Sequence, residues 1–247
     1  MKVAILAGGT GSRLSEETGL RPKPLVEVGG KPILWHILRH YEFFGFTDFV
    51  IALGYKGEMV KEYFSSCRHS GYDKLYHEDK CDLKGQVELI DTGPNTMTGG
   101  RIKRLQPYLS DATFMLTWGD GVSDINLKDL LAFHRSHGRL ATLSAVRPPP
   151  RFGHLNLDGS TVTEFSEKSA AREGWINGAF FVLEPGIFDY IESDQTQWER
   201  GPLEQLSCEG QLMAYRHHSF WQCMDTIHDK KILEDLWESG CAPWRME

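Results

Sequence analysis

Short apolar runs alternate with apolar residues at helical spacing through the first 146 positions of the chain. Val3 to Ala7 is a continuous apolar run that predicts a buried strand. Lys31-Pro32 then opens a segment in which Ile33, Ile37, Leu38, Tyr41 and Phe44 recur at helical spacing, with Pro32 suited to the first turn and Gly45 closing it. Asp48 to Leu53 reads as a strand, Gly57 to Phe64 as a short helix and Val87 to Asp91 as a further strand. The rhythm continues with a helix at Ile102 to Leu109, a strand at Thr113 to Thr117, a helix at Leu127 to His137 and a strand at Ala141 to Val146. Strands separated by helices run in one direction, so this half predicts a mostly parallel sheet with helices packed on it.

The pattern changes after Arg147. Pro148-Pro149-Pro150 interrupts regular structure, and His154 to Leu157, Thr161 to Phe165 and Ile176 to Leu183 predict strands. Pro185 to Ile191 and Leu203 to Cys208 read as helical, Leu212 to Tyr215 as extended and Phe220 to Met224 as a strand. Thr226 to Trp237 closes the pattern as a helix with Ile227, Leu233, Leu236 and Trp237 on its apolar side. The expectation is one α/β domain over 1–247, with a first half to about 146 and a substrate-binding half from about 147.

Composition narrows the class. The chain has 247 residues, 40% hydrophobic and 25% charged, an ordinary globular balance. A formal charge of −7 argues against a nucleic-acid binder, which needs a broad basic surface. No stretch approaches the ~20 apolar residues of a membrane span, and Val3 to Ala7 is too short for a secretory signal, so the expectation is no membrane partner and a cytoplasmic protein. Cys67, Cys81, Cys208, Cys223 and Cys241 are odd in number and lack Cys-x-x-Cys spacing, which predicts reduced thiols and no structural zinc.

The first strand runs into Gly8-Gly9-Thr10-Gly11-Ser12-Arg13, followed by Arg21-Pro22-Lys23-Pro24. Glycines after a strand let backbone N–H groups approach a phosphate chain, and Arg13 and Lys23 add positive charge. A P-loop requires a lysine directly after the last glycine, and none follows Gly11. A dinucleotide fingerprint requires a third glycine where Leu14 stands. A plain strand-to-helix turn is the alternative reading. Gly119-Asp120-Gly121 also follows a predicted strand, and ligands of open parallel sheets bind at strand carboxyl ends, so the two segments are expected to share a cleft. Asp120 is then a candidate metal ligand, against a simple Asp-Gly turn. Asp225, between a strand and the last helix, is a candidate second carboxylate or a helix cap.

Leu6-Ala7-Gly8-Gly9-x-Gly11-Ser12-Arg13-Leu14, Pro22-Lys23-Pro24 and Gly29-Gly30-Lys31-Pro32-Ile33 together resemble the sugar-phosphate nucleotidyltransferases. The likeness extends over nearly the whole chain through Trp35-His36-Ile37, Gly54-Tyr55-Lys56-Gly57, Lys61-Glu62-Tyr63-Phe64, Asp91-Thr92-Gly93, Met97-Thr98-Gly99-Gly100-Arg101 and Trp221-Gln222-x-Met224-Asp225-Thr226. It implies a Rossmann-like three-layer core with a mostly parallel mixed sheet and a smaller β-rich sugar-binding insertion. It also implies CTP and a sugar 1-phosphate, glucose 1-phosphate in the first place, as substrates, with Mg²⁺ as cofactor and a homo-oligomeric assembly, in deoxysugar and surface-polysaccharide (O-antigen) synthesis.

By the same resemblance, Leu6, Ala7, Gly8, Gly9, Thr10, Gly11, Ser12, Arg13, Lys23, Thr96, Arg101 and Gly119 bind nucleotide, with Arg13, Lys23 and Asp120 catalytic. Asp120 and Asp225 hold the metal, and Glu167, Lys168 and Asn177 bind the sugar phosphate. The segment Asp91 to Arg101 replaces a proline-rich stretch of thymidylyltransferase relatives and implies cytosine. The sequence departs from the family at Ser169, usually proline, at Ala179, usually glycine, and at Cys223, usually proline. The rival readings are transfer of a different nucleotide or to a different sugar 1-phosphate, and a non-catalytic sugar-nucleotide-binding relative. Trp237 and Trp244 are candidate subunit contacts.

Overall fold

The computed structural model describes residues 1–68, 82–148, 154–166 and 174–246. Its strands are β1 (Lys2–Leu6), β2 (Glu27–Val28), β3 (Lys31–Pro32), β4 (Asp48–Leu53), β5 (Gln86–Asp91), β6 (Phe114–Trp118), β7 (Gly121–Ser123), β8 (Ala141–Val146), β9 (His154–Asp158), β10 (Thr161–Ser166), β11 (Ile176–Leu183), β12 (Leu212–Arg216) and β13 (Trp221–Cys223). Its helices are α1 (Ser15–Thr18), α2 (Ile33–Phe43), α3 (Gly57–Arg68), α4 (Thr98–Arg104), α5 (Gln106–Leu109), α6 (Leu127–His137), α7 (Pro202–Cys208) and α8 (Ile227–Glu238), with 3₁₀ turns at Ser12–Leu14, Lys23–Leu25 and Pro185–Tyr190.

Seven strands form one sheet in the order β12-β8-β11-β6-β1-β4-β5. β1 pairs in parallel with both β4 and β6, β4 with β5 and β8 with β12, while β11 runs antiparallel between β6 and β8. The mostly parallel mixed sheet expected from the pattern is therefore present. It also crosses the 146/147 boundary, because β11 and β12 are laid beside strands of the first half.

Alternation along β1 divides the core into two layers. Val3 and Ile5 face α2 through Ile33, Leu34, Ile37, Leu38 and Tyr41, together with Leu233 of α8. Ala4 and Leu6 face the other side, where Ile102, Leu105, Ile187, Phe188, Leu203 and Leu206 pack. Each fully buried aliphatic or aromatic side chain contributes roughly 1.5–3 kcal/mol, so both layers hold the central strand ends rigidly. The β-rich insertion is the β9–β10 hairpin, which lies outside the main sheet and exposes Leu155, Leu157, Val162 and Phe165.

Three local expectations are corrected. α3 continues to Arg68 rather than ending at Phe64. The single helix expected over Ile102 to Leu109 starts earlier, at Thr98, and is split in two before Pro107, whose missing N–H interrupts the ladder. Gly99 and Gly100 argue locally against a helix, but a Cβ at Gly99 would lie 2.7 Å from the Thr196 carbonyl and one at Gly100 would overlap Asp194. Tertiary contact with the 194–196 loop overrides propensity there. Trp244 is buried, its ring stacked on both Phe220 and Trp237, so it packs within the chain rather than at a subunit surface, while Trp237 stays partly exposed.

Candidate active site

The parallel pairing of β1 with β4 and β6 brings three carboxyl ends side by side, with Leu6 level with Ala52 and Trp118. The glycine segment leaving β1 is strapped to both neighbours. Ala7 N–H donates to Ala52 O at 3.0 Å, Tyr55 N–H to Gly8 O at 3.0 Å and Gly119 N–H to Leu6 O at 3.0 Å. Gly11 sits at φ +64°, a conformation that disfavours a side chain, and thereby turns the chain into the Ser12–Leu14 turn.

A cavity of about 650 Å³ opens at this edge. Leu6, Ala7, Gly8, Gly9, Thr10, Gly11, Ser12, Arg13, Lys23, Thr96, Arg101, Gly119 and Asp120 all line it. Pro24, Pro94, Asn95, Met97 and Thr98, which lie in motifs marked in the sequence but carried no site assignment, line it too, and so do Trp118 and Gln195, which the sequence did not mark. Trp118 ends β6, so the strand-end rule alone could have found it. Gln195 belongs to no motif. It arrives because Met97 N–H donates to Asp194 O at 2.8 Å, Gly100 N–H donates to Thr196 O at 3.2 Å and Arg104 pairs with Asp194.

At the mouth of the cavity, Lys23 Nζ donates to Asp120 Oδ2 at 2.7 Å and to Asp225 Oδ1 at 2.6 Å. Arg13 Nη1 lies 2.6 Å from Asp225 Oδ2. Asp225 is brought there by the pairing of β13 with β7, which sets Cys223 opposite Gly121, and by Met224 N–H donating to Asp120 O at 2.8 Å. Asp225 does not cap α8. Thr226 does, in a capping box with Asp229, and Asp229 Oδ2 also accepts from the Asp225 N–H at 3.1 Å. The Asp225 carboxylate is left for the cavity mouth.

Electrostatics follow from this grouping. Burial would lower the Lys23 pKa, but Asp120 and Asp225 outweigh it and hold it above the ordinary lysine value. Burial likewise opposes the Asp225 charge, and Lys23 and Arg13 overcome that and hold its carboxyl below the usual range. Burial and the neighbouring carboxylates push the Cys223 thiol up to about 12.

Two carboxylate oxygens that both lie within 2.7 Å of one ammonium nitrogen converge on a single cation-sized point. Such a donor set suits a hard divalent cation that completes its shell with water and phosphate oxygens. Among the described residues no group of three or more His, Cys, Asp or Glu gathers as a metal cluster.

The remaining expected site residues behave differently. Arg101 is at the cavity wall, but its donors go to protein: Nη1 to Leu53 O at 3.0 Å, Thr92 Oγ1 at 2.7 Å and Gly93 O at 2.8 Å, and Nη2 to Gly8 O at 3.0 Å and Pro94 O at 3.3 Å. Asn177 does not line the cavity, and its Oδ1 accepts from Ala179 N–H at 2.8 Å. It is the second residue of β11, at the same sheet edge, opposite Ala145. Glu167, Lys168 and the departure at Ser169 lie outside the described residues. Ala179 takes φ +64°, the conformation for which the usual glycine is suited.

A strand-end glycine cradle facing paired carboxylates on a parallel sheet defines a phosphate-handling enzyme of the nucleotidyltransferase type, and the nucleotidyl transferase family model matches residues 2–226. The chain belongs to that family. It is 48% identical over 254 aligned positions to glucose-1-phosphate cytidylyltransferase of Salmonella typhi, covering 99% of each chain. It is 40% identical to a probable glucose-1-phosphate cytidylyltransferase of Bacillus subtilis, covering all of both. Among solved structures, HddC of Yersinia pseudotuberculosis complexed with GMP-PN matches with a TM-score of 0.70 at 24% identity, covering 96% of this chain and 99% of the other, a likeness of fold.

Proposed function

We propose that this protein transfers a cytidylyl group from CTP to α-D-glucose 1-phosphate, giving CDP-glucose and pyrophosphate. The observation that carries the reading is Lys23 joined to both Asp120 and Asp225 at the mouth of the glycine-lined cavity, in a chain 48% identical along its length to a glucose-1-phosphate cytidylyltransferase.

In this reading the backbone of residues 6–13 and Gly119 holds the nucleotide, with Thr96 at the cavity wall. Arg101 acts by fixing the cradle from behind. An oxygen of the sugar phosphate attacks the α-phosphorus, the P–O bond to the β-phosphate breaks, and pyrophosphate leaves with the bonding pair. The nucleophile is already anionic, so no general base is needed. The barrier lies in bringing like charges together in line.

Arg13 neutralises charge on the leaving pyrophosphate, and Lys23 neutralises the phosphate at the reacting centre. Asp120 and Asp225 would hold a divalent cation, Mg²⁺ in the first place, which supplies charge neutralisation across the phosphates. Glu167, Lys168 and Asn177 are assigned to the sugar phosphate on the resemblance. Asn177 Oδ1 accepts from Ala179 N–H, and the amide N–H groups are the donors assigned to the sugar phosphate.

The same reading includes a homo-oligomer, measurable as mass by light scattering, and a role in supplying CDP-sugars for deoxysugar and surface-polysaccharide synthesis. It places the enzyme in the cytoplasm, supported by the free thiols Cys208, Cys223 and Cys241. Among the described residues no helix is long and apolar enough to cross a membrane.

The decisive experiment is pyrophosphate release across four nucleoside triphosphates and a panel of sugar 1-phosphates. Turnover should be greatest with CTP and glucose 1-phosphate. Preference for another nucleotide would overturn the cytidylyl assignment, and no release with any pair would favour a non-catalytic binder.

A further inference from the structure

Lys23 does more than wait for a phosphate. Its Nζ lies 2.7 Å from Asp120 Oδ2 and 2.6 Å from Asp225 Oδ1, the two oxygens assigned above to a divalent cation. An ammonium and a metal ion cannot share the point between those oxygens. The lysine is built into its place: it is 7% exposed and sits between Pro22 and Pro24 at the start of a 3₁₀ turn. A Cβ at Gly11 would lie 3.2 Å from the Lys23 Cβ, so the glycine of the cradle gives the stem its room. Arg13 takes the other Asp225 oxygen at 2.6 Å.

Charge explains the consequence. The two carboxylates are balanced by Lys23 and Arg13, so the group is neutral before any ligand arrives and holds no surplus negative charge for a free divalent ion. Entry of metal alone would expel a buried ammonium with no anion to receive it, which is costly. A triphosphate supplies that anion. The lysine stem is long enough to turn from carboxylate to phosphate with its three donors re-paired.

We propose that Lys23 is the resident counter-ion of the metal position, holding Asp120 and Asp225 together in the nucleotide-free protein and yielding that position only as a nucleotide triphosphate arrives. Metal and nucleotide therefore enter as a unit, and the free enzyme disregards divalent cations. The inference rests on the metal assignment in the proposed function.

Mn²⁺ is the probe, followed by electron paramagnetic resonance of the unbound ion in nucleotide-free protein. Lys23→Met should bind Mn²⁺ at least tenfold more tightly than the wild type, and adding Asp225→Asn to it should abolish the gain. Equal Mn²⁺ affinity in the wild type and Lys23→Met would overturn the proposal.

The wild type alone gives a second measurement that does not depend on the variant folding. Its thermal midpoint should not respond to Mn²⁺ by itself and should rise when α,β-methylene-CTP is added with Mn²⁺. A rise with Mn²⁺ alone as large as with both would also overturn it. Neither readout uses turnover, so an enzyme active with CTP and glucose 1-phosphate but binding Mn²⁺ unaided would sink this inference and leave the function standing.

Discussion

The Arg101 guanidinium donates to the Gly8 carbonyl at 3.0 Å, and a Cβ on Gly8 would overlap that guanidinium. The same group reaches Leu53 O, Gly93 O and Pro94 O, so one buried cation ties the glycine cradle to the end of β4 and to the turn after β5. Glycine at position 8 thus serves a close approach from within the protein as well as any from a ligand.

Arg101→Lys should destabilise the protein by at least about 2 kcal/mol, because a single ammonium cannot satisfy acceptors spread around a fork and each buried group left unpaired costs ~1–3 kcal/mol. Urea unfolding checks this. Gly8→Ala should raise KM for the nucleotide with a similar loss of stability, and an unchanged KM would show that the cradle tolerates a displaced Arg101.

Asp120→Asn and Asp225→Asn should each lower kcat by roughly 10²–10³ with far-ultraviolet circular dichroism unchanged, the size typical for loss of one preorganised electrostatic contact. Steady-state pyrophosphate release measures it. Wild-type turnover in either variant would remove that aspartate from the mechanism.

Ala179→Gly should stabilise the protein modestly. The left-handed conformation at φ +64° costs an L-residue roughly 1–2 kcal/mol, against roughly 0.5–1 kcal/mol of added chain entropy for glycine. The expected gain is about 1 kcal/mol or less, read as a higher denaturation midpoint. Gly178→Ala should do the opposite, since its Cβ would lie 2.6 Å from both Ser144 Oγ and Val146 Cγ1.

Stability should fall on mild acidification. Burial lowers the pKa of both His36 and His40 from 6.5 to about 4. His36 is held neutral by geometry as well, lying 2.9 Å from Val28 O through Nε2 and 3.3 Å from the Trp244 indole N–H through Nδ1. Between these pKa values the unfolded chain binds protons that the folded chain does not, so unfolding free energy rises with pH, is full above 6.5 and declines toward 4. The loss at pH 5 is roughly 2 kcal/mol per histidine. His40→Leu should reduce the slope of stability against pH by about one proton in this range, and an unchanged slope would count against a neutral buried His40.

Cys223 should resist alkylation at pH 8, where a thiol pushed up to about 12 is thiolate in roughly one molecule in 10⁴. The exposed Cys208 and Cys241 should label readily. Peptide mass spectrometry after iodoacetamide treatment separates them, and labelling of Cys223 at the rate of Cys208 would contradict the raised pKa of its thiol.

Much of this architecture was legible in the residues. The apolar run at Val3 to Ala7 and the helical spacing from Ile33 to Phe44 specify the first strand and helix because burial of the strand on both faces and of the helix along one stripe leaves few other arrangements. The strand-end rule placed the glycine cradle and Asp120 at one edge, where both are found. The family likeness followed from motifs whose order along the chain is informative even when each alone reads as a turn.

What local pattern could not decide is what depends on distant backbone. The start of α4 at Thr98 is set by the 194–196 loop against Gly99 and Gly100, contacts invisible to propensity. Gln195 enters the cavity by the same route. That Arg101 spends its donors on carbonyls rather than facing outward is likewise a matter of which chain ends converge around it. The sequence by itself determined that Lys23, Asp120 and Asp225 are present, with Asp120 and Asp225 each beside a predicted strand and Lys23 in the proline-flanked segment after the glycine cradle. Only the tertiary structure, through the β7–β13 pairing and the Met224 to Asp120 hydrogen bond, decided that the two carboxylates close on one lysine, because that closure depends on backbone pairing between segments far apart in the chain.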